Sequence, residues 1–175
     1  MVGGQRETDF CVSKPCSGQT NPFAQTGSFQ IRPATNTAPS ALIYSTGYKV
    51  LPRLVLIYGQ SAPLNLALAP AYDRLRLSFD GNNSVTNFLI YASSSNTNVS
   101  TLACHIPFNP YPFTVDLPFA DFKLDSGTGV DFTNVSAMSL VFTQDYTVGG
   151  TDWAITSFQA IPTGAPPGNV TCNNH

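Results

Sequence analysis

The feature that most constrains this chain is a period of two. From residue 28 onward, apolar and polar residues alternate in short runs, and clusters of turn-forming residues close nearly every run. Leu75, Leu77 and Phe79 alternate with Arg74, Arg76 and Ser78, the pattern of an antiparallel strand that buries one face and turns its arginines to water. Asp80-Gly81-Asn82-Asn83 follows as a turn, and 85–92 reads as the returning strand. Leu64, Leu66 and Leu68 repeat the alternation, as do Met138, Leu140 and Phe142. Further β-rich runs lie at 29–32, 41–44, 54–58, 99–106, 113–117 and 153–161. The expected fold is therefore all-β, a single antiparallel β-sandwich of jelly-roll type. Its core should hold Leu75, Leu77, Phe79, Phe88, Ile90, Leu140, Phe142 and Ile155, with Trp153 beside them on the last long strand. Residues 1–27 read as a loop-rich segment with at most an edge strand near 2–7, 28–161 as the sandwich body, and 162–175 as a Pro/Gly/Asn-rich tail.

Composition excludes several alternatives. Charged residues are 10% of the chain, against about 25% in an average domain. Glu7 is the only glutamate and Lys14, Lys49 and Lys123 the only lysines, so the usual material of exposed helical faces is missing. A net charge of −2 with scattered arginines offers no footprint for nucleic acid or an anionic membrane. The apolar runs are too short for a membrane-spanning helix, and no signal peptide opens the sequence. Four cysteines in so polar and lysine-poor a chain point to an extracellular, oxidising setting; sequons occur at Asn82, Asn98, Asn134 and Asn169, as a chain this rich in Ser, Thr and Asn generates by chance.

Four cysteines allow three pairings, which sequence cannot separate. The economical pair of disulfides is Cys11–Cys16 as a local loop and Cys104–Cys172 as a long staple holding the tail. A rival reading gathers Cys11, Cys16, Cys172 and His175 around zinc.

No catalytic signature is present: no nucleophile elbow, metalloprotease helix, phosphate loop or Cys–His pattern. His105, the one interior histidine, reads more simply as structural than as a general base. Two of the nine aspartates could flank a glycosidic bond, but nothing selects a pair, so a hydrolase or lyase lacks support.

The run His105-Ile106-Pro107-Phe108-Asn109-Pro110-Tyr111-Pro112-Phe113 is the first candidate for ligand contact. Prolines fix φ and stiffen the segment, so its aromatics are presented with little ordering entropy. Phe108 and Tyr111 are the expected anchors, with His105 beside them. A second aromatic set, Tyr44, Tyr48, Tyr58 and Tyr91 with Asn65, Asn87 and Arg74 or Arg76, offers a sheet face for the same purpose. The plainer reading has all these rings capping the sandwich ends.

The C-terminal third carries three motifs in order: Val115-Asp116-Leu117-Pro118-Phe119-Ala120-Asp121-Phe122, then 130–140 with Asp131-Phe132-Thr133-Asn134-Val135, then Thr151-Asp152-Trp153-Ala154-Ile155. With the opening Val2-Gly3-Gly4-Gln5-Arg6-Glu7, they resemble the galactose-binding-like, carbohydrate-binding-module group of jelly rolls in secreted bacterial proteins. The resemblance implies a glycan-binding β-sandwich. It also implies a structural calcium between the first strand and the aspartate opening the last, at Glu7 and Asp152 with Asp9 nearby. A second acidic stretch, 125–131, is better read as a glycine turn than as a calcium loop.

The leading expectation is a secreted, non-catalytic sandwich recognising a glycan or another surface ligand. The alternative is a self-assembling extracellular subunit of a filament, coat or adhesin, joined through strand edges.

Overall fold

The computed structural model describes residues 6–13, 27–47, 51–143 and 150–172, with the backbone alone described at 6–13, 27, 51–53 and 171. Twelve strands are described. They are β1 (Arg6–Ser13), β2 (Gly27–Arg32), β3 (Ala41–Thr46), β4 (Leu51–Tyr58), β5 (Tyr72–Asn82) and β6 (Thr86–Ser93), followed by β7 (Val99–Ile106), β8 (Phe113–Pro118), β9 (Lys123–Ser126), β10 (Ala137–Thr143), β11 (Asp152–Pro162) and β12 (Val170–Thr171). They form two six-stranded sheets, β1-β4-β10-β6-β7-β9 and β12-β8-β5-β11-β3-β2, packed face to face as a jelly-roll sandwich. Every described pairing is antiparallel except β12 with β8. The strand ladder read from alternation is thus present, and among the described residues the only helix is one 3-10 turn at Phe119–Asp121.

The period of two decides what is inside. Leu75, Leu77 and Phe79 face Val115, Leu117 and Phe113 along one sheet, and Phe88, Ile90, Leu140 and Phe142 meet them from the other. All eight residues expected in the core are buried, as is Trp153. The Trp153 ring stacks on Tyr44 at 4.6 Å and meets Phe142 at 4.5 Å, which joins the two sheets through aromatic contact.

Three expectations need correction. The alternating Leu64, Leu66 and Leu68 do not form a strand. Their amides bond to Ser136, Val135 and Phe132 carbonyls of an irregular loop, and only Leu66 and Val135 make an isolated bridge. Alternation buries one side of the segment, but its partner is too irregular to build a ladder. Tyr44 and Tyr58 are core residues and line no open face, while Tyr48 lies outside the described residues.

Arg74 and Arg76 do sit on the outer face of the second sheet, yet water does not surround them. Residues 163–169 cross over their guanidiniums. Arg74 donates to the Ala165 and Pro166 carbonyls at 2.6 and 2.9 Å, and Arg76 donates to Pro166 at 2.8 Å. Between them Asp116, on β8, accepts from Arg76 Nε at 2.5 Å and Nη2 at 2.9 Å, and from the Gly168 amide at 2.6 Å. Arg74 Nε lies 3.0 Å from the same carboxylate as an ion contact without hydrogen-bond geometry. Burial pushes the Asp116 carboxyl up. The Arg76 hydrogen bonds, the Gly168 amide and the two positive charges outweigh that and hold it below the ordinary aspartate value. Just past the covering segment, Cys172 is bonded to Cys104 of β7, which closes the sandwich across its β7/β12 side. That bond removes Cys172 from any zinc set with Cys11, Cys16 and His175. The Cys11–Cys16 pairing falls outside the described side chains.

Candidate functional site

The segment between β7 and β8 passes from one sheet to the other across an end of the sandwich. Pro107, Pro110 and Pro112 lack amide hydrogens and cannot extend a ladder, so the chain runs as an exposed loop. Phe108 is 57% exposed and Tyr111 74% exposed, two of the four large hydrophobic side chains that the described surface leaves to solvent. The loop is nevertheless held at its base. Asn82 and Asn109 form an isolated antiparallel bridge: the Asn82 amide donates to Asn109 O at 2.8 Å, and the Asn109 amide donates to Asn82 Oδ1 at 2.6 Å. The Tyr111 amide donates to Asn109 Oδ1 at 3.1 Å, and Phe113 stacks on Phe79 at 4.9 Å where the loop enters β8.

Gly81 makes this approach possible. Its φ is +117°, and a Cβ there would lie 3.0 Å from the Pro110 carbonyl oxygen. The same residue belongs to a bulge. Between Phe79 and Asn82 on β5 there are two residues, against one between Ile155 and Trp153 on β11. The extra residue turns Asn82 inward, where it is 3% exposed.

Beside the loop lies an open recess of about 410 Å³ on the outer face of the second sheet, lined by Arg32, Ile43, Asp80, Asn83, Phe108, Pro110, Asp152 and Ala154 among others. That volume falls within the roughly 300–1,000 Å³ typical of ligand sites. Ile43 of β3 and Ala154 of β11 are neighbours in register and face outward. Arg32, from the edge strand β2, reaches over them to Asp80 of β5, with Nη2 to Oδ2 at 3.6 Å. The opposite wall is a reciprocal clasp. Asn83 Nδ2 donates to Asp152 Oδ2 at 2.5 Å, the Asp152 amide donates to Asn83 Oδ1 at 2.7 Å, and Ser45 Oγ donates to Asp152 Oδ1. The recess therefore offers one guanidinium, two carboxylates, an amide and an aromatic rim over a small apolar floor. Such a set can give and accept hydrogen bonds with a hydroxylated ligand while a ring covers one of its faces.

The expected contact residues are only partly together. Phe108 lines the recess, and Tyr111 projects from the same loop without lining it. His105 lies on the outer face of the first sheet, with Nδ1 2.7 Å from Asn87 Oδ1, in a separate shallow groove with Leu89, Ala103 and Thr143. Arg32, Asp80 and Asn83 were not singled out in the sequence. Arg32 comes from β2, about 48 residues before Asp80 and the turn that carries Asn83, and their only signal is that Arg32 and Asp80 occupy outward positions of alternating runs.

The residues the resemblance implies for calcium come from two sheets, Glu7 and Asp9 from β1 of the first and Asp152 from the start of β11 in the second. Glu7 pairs with Ile57, which pairs with Ser139. Asp9 pairs with Val55, and the side chains of Glu7 and Asp9 are outside the description. Among the described residues no three His, Cys, Asp or Glu side chains group as a metal ion needs. The stretch 125–131 is a turn with Gly127 and Gly129 at φ of +63° and +81°. Asp131 there accepts from the Thr133 hydroxyl and amide at 2.7 and 2.8 Å, and those bonds hold its carboxyl below the usual range.

No family model matches the chain, and no curated protein matches it. Solved structures do. The chain is similar to the family 11 carbohydrate-binding module of the cellulosomal cellulase Lic26A-Cel5E of Clostridium thermocellum. The two are 13% identical with a TM-score of 0.50, over 97% of this chain and 91% of that one. It is likewise similar to the solution structure of CtCBM11, at 12% identity and a TM-score of 0.52, over 89% of this chain and 88% of that one. At these identities the likeness is one of fold, and the fold is the jelly roll that the sequence motifs implied.

Proposed function

We propose that this domain binds a glycan, through the recess on its second sheet and the aromatic loop beside it. The observation that carries the reading is Phe108, more than half exposed, held by a rigid loop on the rim of a recess lined with hydrogen-bonding side chains. A ring left in water at a fixed position is suited to stacking on the apolar face of a sugar. Arg32, Asp80, Asn83 and Asp152 suit its hydroxyls. Two carboxylates against one guanidinium favour a neutral glycan over a uronate-rich one. The fold shared with carbohydrate-binding modules supports the reading by analogy. A buried Cys104–Cys172 disulfide fits an extracellular setting.

Affinity electrophoresis through gels containing soluble polysaccharides tests this. Mixed-linkage β-glucan, xyloglucan and galactomannan represent neutral chains, and polygalacturonate represents acidic ones. The expected result is retardation by at least one neutral polysaccharide, weakened in Arg32→Ala, with none by polygalacturonate. Unretarded migration in every gel overturns the proposal.

A further inference from the structure

Asn82 does more than fill a buried position. Its Nδ2 donates to the Ser84 carbonyl at 2.8 Å and to the Pro107 carbonyl at 3.1 Å, while Oδ1 accepts from the Asn109 amide. One side chain thus ties the end of β5 to both sides of Phe108. The next residue, Asn83, clasps Asp152 on the far wall of the recess. We propose that Asn82 is the positioning residue of the site, fixing the aromatic loop at the distance from the recess that lets one ligand touch both.

Chemistry explains why the residue is an asparagine. Pro107 and Ser84 present carbonyl oxygens, which need donors, and Asn109 presents an amide, which needs an acceptor. A primary amide supplies both from one short side chain, whereas a carboxylate supplies only acceptors and an alkyl group neither. Prolines have removed the amides at 107, 110 and 112, so the loop has few backbone donors of its own to hold it in place. Phe108 makes its contact from this tethered stretch, and a loop free to swing would lose the preorganisation that makes an exposed ring useful. The same bonds set a limit on modification: Asn82 opens a sequon, but its Nδ2 is committed to the loop.

The consequence for binding rests on the glycan reading above, and the consequence for loop order does not. The test is amide hydrogen exchange on wild type, Asn82→Ala and Asn82→Asp, with affinity electrophoresis of the same samples in mixed-linkage β-glucan, xyloglucan and galactomannan. In Asn82→Ala the Asn109 amide should exchange at least about tenfold faster, the effect of losing one buried hydrogen bond, while the Leu77 and Val115 amides keep their protection. Retardation should fall to that of Phe108→Ala. Asn82→Asp keeps the acceptor for Asn109 and loses both donors. Its loop should be loosened near neutral pH and tighten as acid protonates the new carboxyl, and it decides the matter if Asn82→Ala does not fold. Unchanged exchange at Asn109 in Asn82→Ala overturns the proposal. So do equal losses of protection at Leu77 and Val115, or a loosened loop with undiminished retardation. If wild type is retarded by none of the polysaccharides, the glycan reading fails and the exchange data alone decide whether Asn82 positions the loop.

Discussion

Residues 107–112 and 162–168 look alike in sequence. Each carries three prolines, and apart from Pro162, which ends β11, each is irregular and runs along the second sheet, one at its end and one over its outer face. The structure uses them in opposite ways. The C-terminal segment turns its carbonyls inward onto Arg74 and Arg76, and its Gly168 amide onto Asp116, so its backbone satisfies a charge cluster that would otherwise face water. The 107–112 loop also gives its base to the protein, through Asn82, but leaves Phe108 and Tyr111 in solvent. One segment satisfies the charges beneath it, and the other leaves two rings to solvent. Proline content says only that neither segment extends a ladder; what each covers is decided by residues about 25 to 90 positions away in the chain.

The contrast predicts separable losses. Removing the disulfide with Cys104→Ser and Cys172→Ser should cost the most. On the chain-entropy account, freeing a loop of 68 residues lowers unfolding free energy by about 4 kcal/mol, measurable by urea titration. Glycan retardation of the still-folded variant should survive. Asp116→Asn comes next, at about 3 kcal/mol, because it leaves the buried Arg74 and the half-buried Arg76 short of their shared counter-charge. That variant should also change the acid limb of the stability profile. The folded carboxyl titrates below its unfolded value, so its contribution is complete above the ordinary aspartate range and is lost as pH falls through the lower folded value. Melting midpoints of Asp116→Asn should therefore fall less steeply in acid than those of wild type. Arg32→Ala is smaller still in stability, about 0–1 kcal/mol for an exposed pair, yet it should weaken retardation.

These same segments show how far the sequence could be read. Phe88, Ile90, Leu140 and Phe142 are buried where alternation put them, because a half-buried strand encodes its two faces in every second residue. The exposure of Phe108 and Tyr111 was legible for a similar local reason: three prolines within six residues forbid a ladder, and the rings have no strand to lie on. Arg74 and Arg76 were legible as outward residues and illegible as buried ones. The cover comes from residues about 90 positions later, and no local pattern records it. The recess was hidden for the same reason. Arg32, Asp80 and Asp152 sit on β2, β5 and β11, and only the strand order of the second sheet brings them together. Asn82 was read as a turn residue. The bulge at Asp80 and Gly81 that turns it inward depends on pairing with β11, which a single strand does not reveal.

The most direct test of the division between the two segments is the double variant Phe108→Ala/Tyr111→Ala, measured twice on one preparation: by thermal melting and by retardation in gels of the neutral polysaccharide that retards wild type. Exposed rings that serve contact leave the melting midpoint where it was, since surface substitutions of this kind shift stability by about 0.5 kcal/mol or less, and they take the retardation with them. A midpoint lowered by several degrees, or a variant retarded as strongly as wild type, would contradict the account.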